Sequence, residues 1–384
     1  MQRRKFLVGL GSLGIVPLLP LGGCIRIGKI YPSAEIRALE SLLPELMAEF
    51  DVPGASIACV QEGERVWSRG FGFKDAAAKT AVDEETLFEA ASVSKTVFAY
   101  AALKLCERGV IGLDTPLSRS TPTRFVEGDP RLDKITARHL LSHSSGFAEW
   151  RSSNAPLIRR EPGSGFEYSG EGYYYLQSVI TALTGKVDLS QCSDYEAGLE
   201  VCATDFDDIM KRDLLRPFDM AGSGYLPDRG WDQRVAHGHD TAGKPIFKGK
   251  PRRSDVARYG AVGGLHTTAS EYANFLIEVV APKAPDRFRL GSTMRSEMVR
   301  PQIKLPKGGE IDECTAWALG WGVRERPQGN LLVHSGGQSG FRSLALASIE
   351  RSSGFIILTN SDNGGKLLYH PKFRELAEKI LGTD

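Results

Sequence analysis

Ser92-Val93-Ser94-Lys95 is a Ser-x-x-Lys at the head of an apolar stretch that runs to Arg108. On a helix, positions i and i+3 share a face, so the hydroxyl and the amine would meet. A helix N-terminus adds free N–H groups and positive potential. That field favours an alkoxide-like serine and depresses the lysine pKa, so a neutral Lys95 could take the hydroxyl proton and make Ser92 an acyl acceptor. The four residues alone are a weak signal, because a serine that opens a helix ordinarily caps it. Two further clusters follow in order, Tyr168-Ser169-Gly170 and His334-Ser335-Gly336-Gly337. His139 and His143 stand four apart, as a zinc pair on one helix would. Position 140 is leucine, so the glutamate of an HExxH site is missing, and a structural role is expected with no metal or cofactor. Glycines 336–340 match neither a Walker loop nor GxGxxG, and the chain has no Gly-x-Ser-x-Gly elbow of the α/β-hydrolase kind.

The elements that would hold these residues can be read from periodicity. Residues 35–50 have helical apolar spacing, and Ala55–Gln61 with Arg65–Gly72 read as strands joined at Glu62-Gly63-Glu64. The Ser92–Arg108 helix is closed by Gly109. From about 113 to 250 the chain is helical and loop-rich. Strands return at Ala318–Val323, Asn330–His334, Ser343–Ser348 and Phe355–Asn360, and a last helix covers Lys372–Leu381. Strands at both ends with a helical middle imply an α+β fold, with one antiparallel sheet flanked by helices and an inserted helical lobe. Residues 187–204 read as a polar insertion in which Cys192 and Cys202 are expected to form a disulfide. Cys59 and Cys106 read as buried hydrophobes, Tyr173, Tyr174 and Tyr175 as partly buried helix residues. Trp150, Trp317 and Trp321 fit either a cleft wall or the core.

With 48 basic and 47 acidic residues the net charge is +1, which speaks against nucleic acid as a partner. The cluster Lys248, Lys250, Arg252 and Arg253 reads as a solvated loop. Arg3 and Arg4 ahead of an apolar stretch from Leu7 to Gly23, broken by Pro17 and Pro20, look like an export signal of the twin-arginine kind. Leu21-Gly22-Gly23-Cys24 resembles a bacterial lipobox. The expected organisation is a signal over 1–23, a lipidated Cys24 tethering the protein to a membrane of the periplasm or cell envelope, a linker over 24–34, and a catalytic domain over 35–384. The oligomeric state is not legible.

The ordered motifs resemble the serine β-lactamase and penicillin-binding-protein superfamily, above all the branch of class C β-lactamases, D-alanyl-D-alanine carboxypeptidases and related esterases. Ile135–Gly146, Ala261–Leu265 and Leu319–Gly322 add to the likeness, which covers about residues 38–365. The resemblance implies Ser92 as nucleophile, Lys95 as its partner and Tyr168 as the group that passes a proton to the leaving group and then activates water. It aligns His334-Ser335-Gly336 with the Lys-Thr-Gly or His-Thr-Gly triplet of a sheet edge, and makes the N–H groups of Ser92 and Gly337 the oxyanion hole. Two departures stand out. The family's Tyr-x-Asn ends here in Gly170, without an amide, and its lysine is His334, largely neutral at pH 7. Arg342 would either restore a charge or be a surface residue. The reading is a hydrolase of small-molecule or peptide esters or amides, leaning to esterase or peptidase over efficient β-lactamase. A β-lactamase or carboxypeptidase, a catalytically weak peptidoglycan binder and a His139/His143 metal hydrolase stay as alternatives.

Overall fold

The computed structural model describes residues 33–120, 125–151, 155–186, 196–246, 249–309 and 311–383, without the side chains of 196–200. The export signal, Cys24 and Cys192 therefore lie outside the described residues. Nine strands form one antiparallel sheet: β1 (Gly54–Gln61), β2 (Glu64–Asp75), β3 (Thr80–Ala81), β4 (Ile303–Lys304), β5 (Ala316–Trp317), β6 (Gly322–Arg324), β7 (Leu331–Gln338), β8 (Phe341–Ser348) and β9 (Ser353–Thr359). Their order is β3-β2-β1-β9-β8-β7-β6-β5-β4. The two chain ends thus meet at the middle of the sheet, where Ile57 faces Ile357 and Ala58 faces Ile356. Helices α1 (Ala34–Glu49), α2 (Ser94–Glu107), α3 (Gly170–Thr184), α4 (Glu196–Met210), α5 (Arg253–Gly263), α6 (Ala269–Val280) and α7 (Pro371–Leu381) surround it.

Side chains alternate across a strand, and here the alternation divides two apolar cores. Ala58, Val60, Ala345, Ala347, Ile356 and Leu358 join the core that contains α6 and the helical lobe. Ile57, Cys59, Leu344, Leu346, Phe355 and Ile357 join the core under α1 and α7. Helix α2 is apolar on nearly every side, with Val97, Phe98, Ala99, Tyr100, Ala102 and Leu103 all buried, the pattern of a helix enclosed by its neighbours. Each large side chain of this kind is worth about 1.5–3 kcal/mol of burial, so α2 is a rigid platform. It ends as its sequence suggests: Gly109 takes φ 72, and the Val110 N–H reaches back to the Leu105 carbonyl.

One expectation needs correction. The run Ala318–Val323 is not one strand, because residues 318–321 turn between β5 and β6: the Ala318 N–H donates to Trp321 O and Gly320 adopts φ 92. A Cβ at Gly320 would lie 2.4 Å from that of Ala99, so only glycine lets the turn touch α2. Helix α4 begins at Glu196, within the segment read as a polar insertion over 187–204, with Cys202, Ala203, Phe206 and Met210 buried at helical spacing. The free thiols among the described residues are Cys59, Cys106 and Cys314.

Candidate active site

Ser92 sits in a tight helical turn (Ala91–Val93) that leads directly into α2. Ala91, the residue before it, has φ 49, a left-handed conformation that a side chain disfavours and that tertiary contacts must hold. Those contacts are explicit. Ser94 Oγ donates to Ala91 O at 2.6 Å, Ser343 Oγ donates to Ala90 O at 2.7 Å, and the Ala90 N–H donates to Leu265 O. Strand β7 crosses the turn so closely that a Cβ on Gly336 would stand 2.9 Å from Ser92 N and 2.8 Å from Ala90 O. Gly336 is therefore small for a mechanical reason: it lets β7, and Gly337 with it, lie against the serine.

Lys95 is buried one turn on, its Nζ 3.0 Å from Ser92 Oγ and 2.6 Å from Val262 O at the end of α5. Burial pulls its pKa down to about 7, partly offset by the Glu149 carboxylate. A neutral amine in this position donates to Val262 O and turns its lone pair to the Ser92 hydroxyl. Tyr168 is hydrogen-bonded to Ser92, and burial holds its phenol well above the ordinary range, so it is protonated at neutral pH. The Lys95 nitrogen lies 5.1 Å from the centre of the Tyr168 ring and 5.6 Å from that of Tyr173.

The remaining walls of this pocket are neutral. His334 is buried, donates from Nδ1 to Ser335 O at 2.7 Å, and is pushed by burial and by Lys95 down to about pKa 4. His143, also buried, accepts the Ser169 N–H at Nδ1 (3.1 Å) and lies 4.2 Å from Tyr168, ring to ring. Its pKa falls well below the ordinary value through burial, Lys95 and His334. Trp317 packs against both imidazoles, at 5.3 and 5.5 Å. His143, at φ 54, stood in the sequence both as half of a possible zinc pair and as part of the Ile135–Gly146 stretch, with a structural role expected. It is separated in role from His139, which accepts the Thr136 N–H in a capping box at the start of a short helix that ends at Leu141.

The other residues named from sequence are distributed as follows. The Ser335 side chain is hydrogen-bonded to Tyr369, whose hydroxyl also donates to Asp312. Arg342 lies beside Gly337 across the ladder but is committed elsewhere, at 2.7 Å from both Gln338 O and Phe341 O and 2.9 Å from Asp362. Gly170 opens α3, and a side chain there would collide with the six-membered ring of Trp150 at 2.5–2.8 Å. Trp150 is the residue sequence reasoning left undecided among three tryptophans; Trp317 and Trp321 are core, while Trp150 is 45% exposed. It lines a cleft of ≈ 610 Å³ together with Ser92, Tyr259, Gly263, Gly337 and Gln338. Lys250 and Arg252 also border this cleft, paired with Asp232 and Asp255.

The chain matches the family model described as Beta-lactamase over residues 39–379. It is 23% identical over 382 residues to penicillin-binding protein 4* of Bacillus subtilis (strain 168), a match covering 89% of this chain and 75% of that protein. It is 21% identical over 365 residues to protein flp of Staphylococcus aureus (strain MRSA252), covering 90% and 67% respectively. Among solved structures it is similar to the octameric penicillin-binding protein homologue from Pyrococcus abyssi (TM-score 0.70, 23% identity, 91% of this chain and 78% of that one). SurE solved with D-Leu gives a TM-score of 0.68 at 22% identity, with 90% and 76% covered. At such identities these structures speak for the fold alone.

Proposed function

The chain belongs to the Beta-lactamase family, a family of serine hydrolases, and from that membership we propose that it cleaves esters or amides through an acyl-enzyme on Ser92. The observation that carries the reading is the buried Lys95 amine, 3.0 Å from Ser92 Oγ and titrating near neutrality. In the proposed cycle the neutral Lys95 accepts the hydroxyl proton as Ser92 Oγ bonds to the carbonyl carbon. The N–H groups of Ser92 and Gly337 take up the oxyanion, a stabilisation that grows only as the tetrahedral state forms. Tyr168 gives its proton to the departing oxygen or nitrogen and is replenished from Lys95. Water then deacylates the serine by the reverse relay. The elevated pKa of the Tyr168 phenol supports Lys95 as the first base, since a phenolate is scarce at pH 7.

The substrate reading leans to esters. Gly170 offers no amide, His334 is neutral, and Arg342 is neutralised by Asp362. A carboxylate-bearing β-lactam or acyl-D-alanyl peptide loses a charge-assisted grip at each place, about 1.5–3 kcal/mol apiece and so tenfold or more. The protein would reach its substrates in the cell envelope, exported by residues 1–23 and tethered through Cys24, and the pairing of Cys192 with Cys202 is part of the same proposal. Kinetics with p-nitrophenyl acetate and nitrocefin test the reading, with Ser92→Ala as control. The ester is expected to be turned over with the higher kcat/KM, and Ser92→Ala to lose both activities and labelling by a fluorescent fluorophosphonate. A hundredfold preference for nitrocefin would overturn the esterase lean, and full labelling of Ser92→Ala would overturn the nucleophile.

A further inference from the structure

Gly170 and Trp150 are two halves of one arrangement. The indole occupies the volume into which any side chain at position 170 would project, and the backbone that carries it is fastened on both sides. The Glu149 carbonyl accepts the N–H groups of Gly170 and Glu171, which ties the residue before Trp150 to the head of α3. Arg151, the residue after it, forms a 2.6 Å ion pair with the buried Glu171 carboxylate. A large aromatic side chain that is 45% exposed is thus held on a fixed backbone inside the reaction cleft.

Tyr259 completes a corner with it. The two rings meet nearly at right angles, 79° and 5.6 Å between centres. Tyr259 stands on α5 one turn before Val262, the residue whose carbonyl holds Lys95. The cleft walled by this corner includes Ser92, Gly337 and Gln338, while Tyr168, Lys95 and His334 are not among its lining residues. In the mechanism proposed above Tyr168 serves the leaving group. The cleft therefore extends from Ser92 toward the opposite half of the substrate, the acyl side.

We propose that Trp150, with Tyr259, is a specificity-determining wall that selects acyl groups carrying a flat aromatic or bulky apolar substituent. The indole replaces, with an apolar surface, the polar contact that Gly170 cannot make. An aromatic substituent packing on the exposed indole face removes apolar surface from water and gains the quadrupolar attraction of paired rings. A short acetyl group has little apolar surface to lay on that wall. The inference rests on the acyl-enzyme reading of Ser92 and adds to it which half of the substrate is read, and by what.

The test is a pair of ester series. In the first the leaving group stays p-nitrophenol, and the acyl group changes from acetyl to phenylacetyl. In the second the acyl group stays acetyl, and the alcohol changes from methanol to benzyl alcohol. For the wild type the phenylacetyl ester should exceed the acetyl ester in kcat/KM. Trp150→Ala should lower the phenylacetyl-to-acetyl ratio about tenfold, mainly through KM, and Trp150→Phe should recover most of it. The benzyl-to-methyl ratio should stay constant across the variants. Equal losses on both acyl groups would reduce Trp150 to a support of α3, and a shift confined to the alcohol series would place the wall on the leaving-group side; either result overturns the proposal. If the wild type turns over no ester and Ser92 is not labelled by the fluorophosphonate, the acyl-enzyme reading itself has failed. A reactive Ser92 with an unchanged acyl ratio rejects this inference alone.

Discussion

Ser92 stands between two walls of opposite character. On one side Lys95, His143 and His334 are buried, and the half-buried Tyr168 ring and Trp317 pack against the imidazoles. On the other, Trp150 and Tyr259 are 45% and 36% exposed, and the nearby cations Lys250 and Arg252 are ion-paired at the cleft border. The dry wall changes what a proton costs: burial moves lysine to about 7 and histidine to about 4. The open wall offers shape and apolar area. Under the proposed function, chemistry and selection fall on different sides of one serine, and the two sides should respond differently to the same perturbation.

The largest effect is expected from the dry wall. Lys95→Met should lower kcat/KM for esters by a factor on the order of 10³ or more, because the relay acts as a unit. It should also stabilise the protein at neutral pH, since the apolar isostere has no charge to desolvate. The sign follows from linkage: Lys95 titrates near 7 folded and near 10.4 unfolded, so between those values the unfolded chain holds more protons and wild-type stability rises with pH. Urea melts of both proteins at pH 7 and 9 check this, and the stability gap should narrow at the higher pH. A Lys95→Met protein that is less stable than wild type at pH 7 would mean the lysine is held charged.

A smaller effect concerns pH alone. With a neutral base required, kcat/KM on a neutral ester should fall about tenfold per unit below pH 7 and level off above it. The imidazoles titrate too low to shape this limb, so its inflection should survive His334→Gln in any variant that retains measurable turnover. A limb that vanishes with the histidine would transfer the base role and dissolve the contrast between the walls. The smallest effect belongs to the open wall's charges. Arg252, with its side chain 78% exposed beside Asp255, should tolerate Arg252→Ala within about 0.5 kcal/mol of stability, read by thermal melting.

The sequence disclosed the dry wall better than the open one, and the reason is local. Ser92 and Lys95 lie three apart where the tight turn runs on into α2, so their meeting follows from helical spacing and needs no long-range pairing. The sheet was legible for a similar reason: β1, β8 and β9 carry strong apolar patterns, and their placement at opposite chain ends implied a joint sheet. What stayed hidden depends on contacts between distant segments. Nothing local says that Ala91 turns left-handed, that Gly320 must breach a strand to touch Ala99, or that Trp150 fills the room above Gly170. The helix from Glu196 was obscured by a polar, cysteine-bearing stretch, and its buried positions become regular only when the segment is extended to Met210. Arg342 was open between two readings, and its ion pair with Asp362, twenty positions away, could not be read locally.

The sheet that joins both chain ends also sets when the enzyme can first exist. The clasp between Ser343 and Ala90 spans 253 positions, and strand β7 must press on Ser92 before Gly337 can face a carbonyl. At typical synthesis rates of about 5–20 residues per second, the ribosome needs tens of seconds between making the serine and making its partner strand. Throughout that interval the Ser92 hydroxyl has neither the backbone clasp from Ser343 nor the β7 strand that would carry the proposed oxyanion hole. A chain that has not yet made β7 and β8 therefore lacks the backbone clasp that the proposed acyl transfer requires.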